Sequence, residues 1–210
     1  MTTVFLHGLG QTPKSWDGTI GLLPPDENSH CPDLLGLITD KESTFQNLYA
    51  AFSAYCDALP GKLRLCGLSL GGVLALQYAI EHPDRMDSLV LIGAQYRPPK
   101  GLLILQNLIF RFMPEKTFQE IGLGKKDFIS LCASMMDIDL SQALKRIPCP
   151  TLVLCGENDS ANKKAALGLS DGISGSKLMF VPQAGHALNK DCPEKLAEIL
   201  GDFWNGTLSE

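Results

Sequence analysis

Five short apolar runs, each closed by a turn residue, constrain the fold of this chain more than any other feature. They are Thr3–Leu6 before His7-Gly8, Leu63–Cys66 before Gly67, Ser88–Ile92 before Gly93, Thr151–Cys155 before Gly156, and Lys177–Val181 before Pro182. Short apolar runs without polar alternation are the pattern of strands buried on both faces. A weaker sixth run covers Asn28–Cys31, ahead of Pro32-Asp33. Between the runs lie helical patterns. Thr44–Leu59 sets Phe45, Leu48, Tyr49, Phe52, Tyr55 and Leu59 at helical spacing, and Leu70–Glu81 follows the second run directly, stopped by His82-Pro83. Pro193–Trp204 carries Leu196, Ile199, Leu200 and Phe203 on one face, with Pro193 suited to the first turn. Alternation of this kind predicts an α/β fold, a mostly parallel central sheet flanked by helices on both sides.

One stretch breaks the rhythm. Gln95–Pro150 holds no convincing strand, opens with Arg97-Pro98-Pro99, and contains two apolar helical candidates, Leu102–Met113 and Phe128–Met136. A connection so long is usually functional or an inserted subdomain. The expectation is one domain over 1–210 with a helical cap over 95–150, the alternative being two ordinary crossover helices packed on the sheet.

Composition bounds the function classes. The chain has 210 residues, 45% of them hydrophobic and 20% charged, with a formal net charge of -5. That is enough to bury a full core, and the mild acidity gives no reason to expect nucleic acid. The first residues show neither a basic n-region nor a long apolar stretch, and no run approaches a membrane span, so the expected location is the cytoplasm. The seven cysteines (Cys31, Cys56, Cys66, Cys132, Cys149, Cys155, Cys192) form no Cys-x-x-Cys pair and suggest neither a disulfide framework nor a metal site. Most lie in apolar segments, as small core hydrophobes in a reducing compartment would.

The chemistry centres on Gly67-Leu68-Ser69-Leu70-Gly71, a G-x-S-x-G. With glycine and serine each at an average frequency near 7%, such a motif arises by chance only about 0.07 times in a chain this long. Here it also follows an expected strand and opens an expected helix, the context in which a serine sits on a strained turn with its hydroxyl lifted clear of the sheet. A nucleophilic serine needs a base. Of the four histidines, His7, His30 and His82 sit in turns or at a helix end and read as structural. His186, in Gln183-Ala184-Gly185-His186 past the last apolar run, occupies the carboxyl edge of the sheet, where parallel sheets bind ligands. For the acid, Asp159 in Gly156-Glu157-Asn158-Asp159 is favoured over Glu157, and Asp191 reads as a cap before Pro193. An oxyanion would be held by the amide of Leu70, after the nucleophile, and by one from His7-Gly8-Leu9-Gly10, that of Leu9.

These motifs together resemble the α/β-hydrolase fold family over nearly the whole chain. His7–Gly10 with Trp16 is similar to the family's oxyanion loop and following helix. Cys31-Pro32-Asp33-Leu34-Leu35-Gly36 resembles its PDLPGHG turn, and Gly67–Gly72, Gly156–Asp159 and Gly185-His186 resemble its elbow, acid loop and base. The order Ser69, Asp159, His186 is the family's order. Three departures stand out. The chain opens at what would be the family's third strand, so the expected core is shortened at its N-terminus; the elbow carries Leu68 where many members have His; and Gly36-Leu37-Ile38 replaces the usual end of the turn.

The resemblance implies a serine hydrolase that cleaves a carboxylic ester or thioester through an acyl-enzyme, with no cofactor and no metal. Its activity should fall as His186 protonates, near or below about pH 7. The apolar content of the cap (Leu102, Leu105, Phe110, Phe112, Met113, Phe118) suggests a small-molecule acyl substrate, with Phe110, Met113, Gln95 and Tyr96 as candidate contacts. The absence of a large basic cluster weighs against a highly anionic carrier. Two other readings fit the same motifs. One is carbon–carbon bond hydrolysis or pyruvate elimination, as in the menaquinone-pathway synthase of this fold. The other is a ligand sensor that keeps the triad and acts through a protein partner.

Overall fold

The computed structural model describes residues 1–119 and 124–208, without the side chains of 102, 103, 105–107, 117 and 119. Among the described residues the centre is a six-stranded sheet of β1 (Thr2–Leu6), β2 (Ser29–His30), β3 (Leu63–Leu68), β4 (Met86–Ile92), β5 (Thr151–Gly156) and β6 (Lys177–Val181). Its order is β2-β1-β3-β4-β5-β6 and every neighbouring pair is parallel. Two strands run one or two residues past their expected ends, because the turn glycines Gly67 and Gly156 still pair in register, with Leu6 and Val181 respectively.

The two-residue period of a strand divides the sheet into two cores. Val4, Leu6, Leu63, Leu65, Leu89, Leu91, Val153 and Cys155 face one side. There they meet α2 (Phe45–Asp57), α3 (Leu70–Glu81) and α7 (Lys163–Gly172) through Leu48, Phe52, Val73 and Leu169. Phe5, Cys66, Leu68, Val90, Ile92, Leu152 and Leu154 face the other. They are covered by Trp16 ahead of the short α1 (Asp17–Ile20), by Leu188 of α8 (Leu188–Asp191), and by Leu196, Ile199 and Leu200 of α9 (Pro193–Asn205). Apolar residues on both faces are therefore what read as unbroken runs.

Edge strands depart from the expectation. β6 has only β5 beside it, and Lys177 and Phe180 are exposed, with only Val181 buried. At the opposite edge the run Asn28–Cys31 pairs over just two residues.

The long connection carries α4 (Lys100–Phe112), α5 (Glu115–Gln119) and α6 (Lys125–Ser134), with no strand among its described residues. Its own small core is aromatic: Phe110, Phe118 and Phe128 meet with ring centroids 5.0–6.0 Å apart, near edge-to-face. Lys125 Nζ donates to the carbonyls of Arg111 and Met113 at 2.6 and 2.8 Å, closing the C-terminus of α4. The layer is pinned to the sheet domain by the Phe45 amide, which donates to Ser134 Oγ at 2.7 Å. No described helix is long and apolar enough to cross a membrane.

Candidate active site

Ser69 joins the end of β3 to the start of α3 with φ 53° and ψ -114°, a backbone region that residues bearing a Cβ rarely adopt. Neighbours hold it there. The Ser69 amide donates to the Ile92 carbonyl at 2.8 Å, and its own carbonyl accepts from the Val73 amide at 3.0 Å. The flanking glycines are sterically required. A Cβ on Gly67 would drive into the Gly71 carbonyl, and one on Gly71 into the Leu6 carbonyl of the neighbouring strand. Leu70, the first residue of α3, is one of the helix positions whose amide has no partner within the helix.

His186 lies between β6 and α8. Its Nδ1 is 2.7 Å from Asp159 Oδ2, and since an ionised carboxylate only accepts, Nδ1 is the donor. The Asp159 side chain is buried, whereas 43% of the His186 side chain stays open. Both lie over the end of β4, where Gly93 has φ 54° and a Cβ would sit 2.9 Å from the imidazole. Glu157 is turned away: its carboxylate accepts from the Gln183 amide at 3.0 Å. Asp191 is a correction. It caps no helix; α9 begins without a side-chain cap, and Asp191 Oδ2 instead accepts from the Gly185 amide at 2.9 Å, steadying the turn that carries His186.

Ser69, Asp159 and His186 share one cavity of about 480 Å³ with Leu9, Leu70, Gln95 and Asn162. Its apolar wall is Val73, Pro98, Pro99, Phe128, Cys132 and Met135. Three expected contacts lie elsewhere. Tyr96 packs against Gly168 of α7, where a Cβ would come within 2.9 Å of the ring, so its bulk fills the sheet–helix interface rather than the cavity. Phe110 and Met113 form a layer behind Phe128 and Cys132, because the aromatic cluster consumes their surface. Phe118 is buried in that cluster while Phe112 is 83% exposed, and the side chains of Leu102 and Leu105 lie outside the described residues. Gln95 does line the cavity, but its Nε2 is spent on Asn162 Oδ1, 2.7 Å away.

The loop after β1 is fixed from below. Gln11 donates its amide to the Gly8 carbonyl and accepts from the Gly8 amide on Oε1, so Leu9 sits at the tip of a closed turn. The buried Asn189 of α8 donates to Gln11 Oε1 and to Ser15 Oγ at 3.1 and 3.2 Å. Beneath, His7 is buried and accepts from the Leu34 amide on Nε2 at 3.1 Å. Burial pushes its pKa below the usual 6.5, outweighing its hydrogen bond to Gly8 O and the nearby Asp33. The imidazole therefore stays neutral and keeps that acceptor.

Cys132 is a thiol in the cavity wall. Burial pushes it up to about 12, leaving almost no thiolate at neutral pH to rival a serine. Sequence reasoning missed Asn162, Gly93, Val73 and the Pro98-Pro99 wall. Gly93, as the turn residue closing an apolar run, carried the one signal that could have found it.

A family model described as the alpha/beta hydrolase family matches residues 3–199. A pimeloyl-[acyl-carrier protein] methyl ester esterase of Nitrosomonas europaea is 25% identical, across 94% of this chain and 93% of its own length. Among solved structures, the enol-lactonase from Burkholderia xenovorans LB400 superposes with a TM-score of 0.83 at 18% identity, covering 97% of this chain and 91% of its own. MenH from S. aureus gives 0.81 at 18% identity, covering 99% and 94%.

Proposed function

The chain belongs to the alpha/beta hydrolase family, and on that premise we propose that it is a serine esterase whose triad is Ser69, His186 and Asp159. One observation carries the reading: a buried carboxylate 2.7 Å from Nδ1 of a half-open imidazole, in the cavity that a strained serine also lines. With Nδ1 held by Asp159, His186 has Nε2 left to take the Ser69 proton. Ser69 Oγ attacks the carbonyl carbon, and the amides of Leu9 and Leu70 receive the oxyanion. Such a donor is worth roughly 3–4 kcal/mol of barrier. His186 then gives its proton to the leaving alcohol, the acyl-enzyme forms, and a water activated by the same imidazole releases the acid.

An ester is favoured over a thioester because the relatives are named as methyl ester esterases. The apolar wall suits an acyl chain, and α4–α6 act as the lid over it, the role proposed for 95–150. The free thiols support a reducing compartment, the cytoplasm. A panel of p-nitrophenyl esters of increasing acyl length tests the proposal. Turnover that Ser69→Ala abolishes, with a fluorophosphonate label on Ser69, is the expected result. A folded protein that turns over no ester, or a label on another serine, refutes it.

A further inference from the structure

We infer that Asn162 positions the carboxylate of Asp159, and that Gln95 reinforces the way the Asn162 amide faces, an inference that rests on the triad reading above. Asn162 stands at the N-cap of α7, a position where asparagine normally accepts from the helix amides. Here its side chain makes no capping bond. Its Nδ2 lies 2.9 Å from both oxygens of Asp159 instead.

A buried carboxylate must have its lone pairs met. His186 supplies one donor, at Nδ1, and Asn162 brings its amide hydrogens to the rest of the carboxylate edge. Nδ2 is also 3.2 Å from His186 Nδ1, but with the Nδ1 proton committed to Asp159 these are two donors side by side on one acceptor group. An amide turned by half a rotation would put Oδ1 against the carboxylate, acceptor against acceptor. The carboxylate, which only accepts, selects Nδ2, and Gln95 reinforces that choice by donating Nε2 to Asn162 Oδ1 at 2.7 Å. The cavity wall is thereby linked to the acid, and through it to the base, by consecutive hydrogen bonds. Among the described residues, charged groups on the elements beside the pair include Lys163 at the start of α7, Asp191 on the Gly185 amide and Glu157 on the Gln183 amide, and all three stay intact in the variants below.

The test uses the full chain with Asn162→Leu, Gln95→Leu and Gln95→Glu, and Ser160→Ala as a surface control on the same loop. For Asn162→Leu, kcat on a p-nitrophenyl ester falls about tenfold or more with KM within about twofold. The acid limb of its kcat/KM profile moves to higher pH, because a carboxylate that loses a donor becomes more basic and stabilises the imidazolium more. Gln95→Glu, the closer match in shape, is the more damaging Gln95 variant, since a carboxylate only accepts and turns the Asn162 amide the wrong way. The proton NMR resonance of the His186 Nδ1 hydrogen shifts in Asn162→Leu and not in Ser160→Ala. The inference is overturned if Asn162→Leu folds with an unmoved acid limb and Nδ1 resonance, or if Gln95→Leu is the worse Gln95 variant. The NMR measurement needs no turnover, so it decides the Asn162 question even if the esterase reading fails.

Discussion

The backbone at Ser69 makes a quantitative prediction about stability. At φ 53° and ψ -114° the residue lies outside the αR, β and αL wells, and such conformations cost about 1–3 kcal/mol where the fold imposes them. Glycine populates this territory without the Cβ clash, at a cost of roughly 0.5–1 kcal/mol in unfolded-chain entropy. Ser69→Gly should therefore leave a net gain of about 1 kcal/mol over Ser69→Ala, which removes the hydroxyl but keeps the Cβ. In a domain of this size that is a rise in Tm of about 2–4 °C. The pair matters because both variants lose the nucleophile, so activity cannot separate them while stability can. Thermal unfolding by circular dichroism, backed by urea titration at constant m, measures the difference. If Ser69→Gly proves no more stable than Ser69→Ala, the strain attributed to the elbow is absent and the argument from φ fails.

Other residues give sharper local tests. Asp191→Ala removes the acceptor on the Gly185 amide, and loss of one charge-assisted bond, ~1.5 kcal/mol, should lower kcat about tenfold while KM holds; an unchanged kcat would show that His186 does not depend on this turn. His7 is held neutral by burial, so the unfolded chain binds the extra proton first, and stability should fall as pH drops below about 6.5 towards the lower folded value. In His7→Gln that component of the slope disappears, as urea midpoints between pH 7 and 5 will show. Native Cys132 should react with iodoacetamide far more slowly at pH 7.5 than in urea, since its thiol is pushed up to about 12; equal rates would contradict the burial.

Much of this architecture was legible in the chain because its information is local. The expected runs became strands, and the elbow could be read from three residues, since a strained serine between a strand and a helix needs glycine where the backbone closes in. Asp159 was preferred over Glu157, and the geometry shows why only one of them reaches His186: a side chain two residues earlier points towards the Gln183 amide. The cavity wall was less legible. Phe110, Phe128 and Cys132 are all apolar residues on helices, and which of them line the cavity depends on how α4 and α6 rotate against one another, a tertiary matter. Asn162 was invisible for a related reason. An asparagine at a helix start normally signals capping, and nothing local reveals that its amide faces sideways to Asp159.

The sheet explains why residues so distant in the chain meet in one cavity. In a parallel sheet every strand delivers its carboxyl end to the same edge, so the turns after β1, β3, β4, β5 and β6 bring Leu9, Ser69, Gly93, Asp159 and His186 together without any long excursion of the chain. Parallel pairing alone fixes strand register, not loop geometry. That second requirement is met by polar side chains, Asn189 buried and the others half-buried, that tie one loop to the next: Asn189 to Gln11 across 178 residues, and Gln95 to Asn162 across 67. For the buried Asn189, an unmet partner costs about 1–3 kcal/mol. Breaking the Gln11–Asn189 tie should thus loosen the Leu9 turn while leaving the His186–Asp159 pair untouched. In Asn189→Leu, kcat should fall while the acid limb of the pH profile stays where it is in the unaltered chain. A shifted limb would mean that the two ties do not act separately.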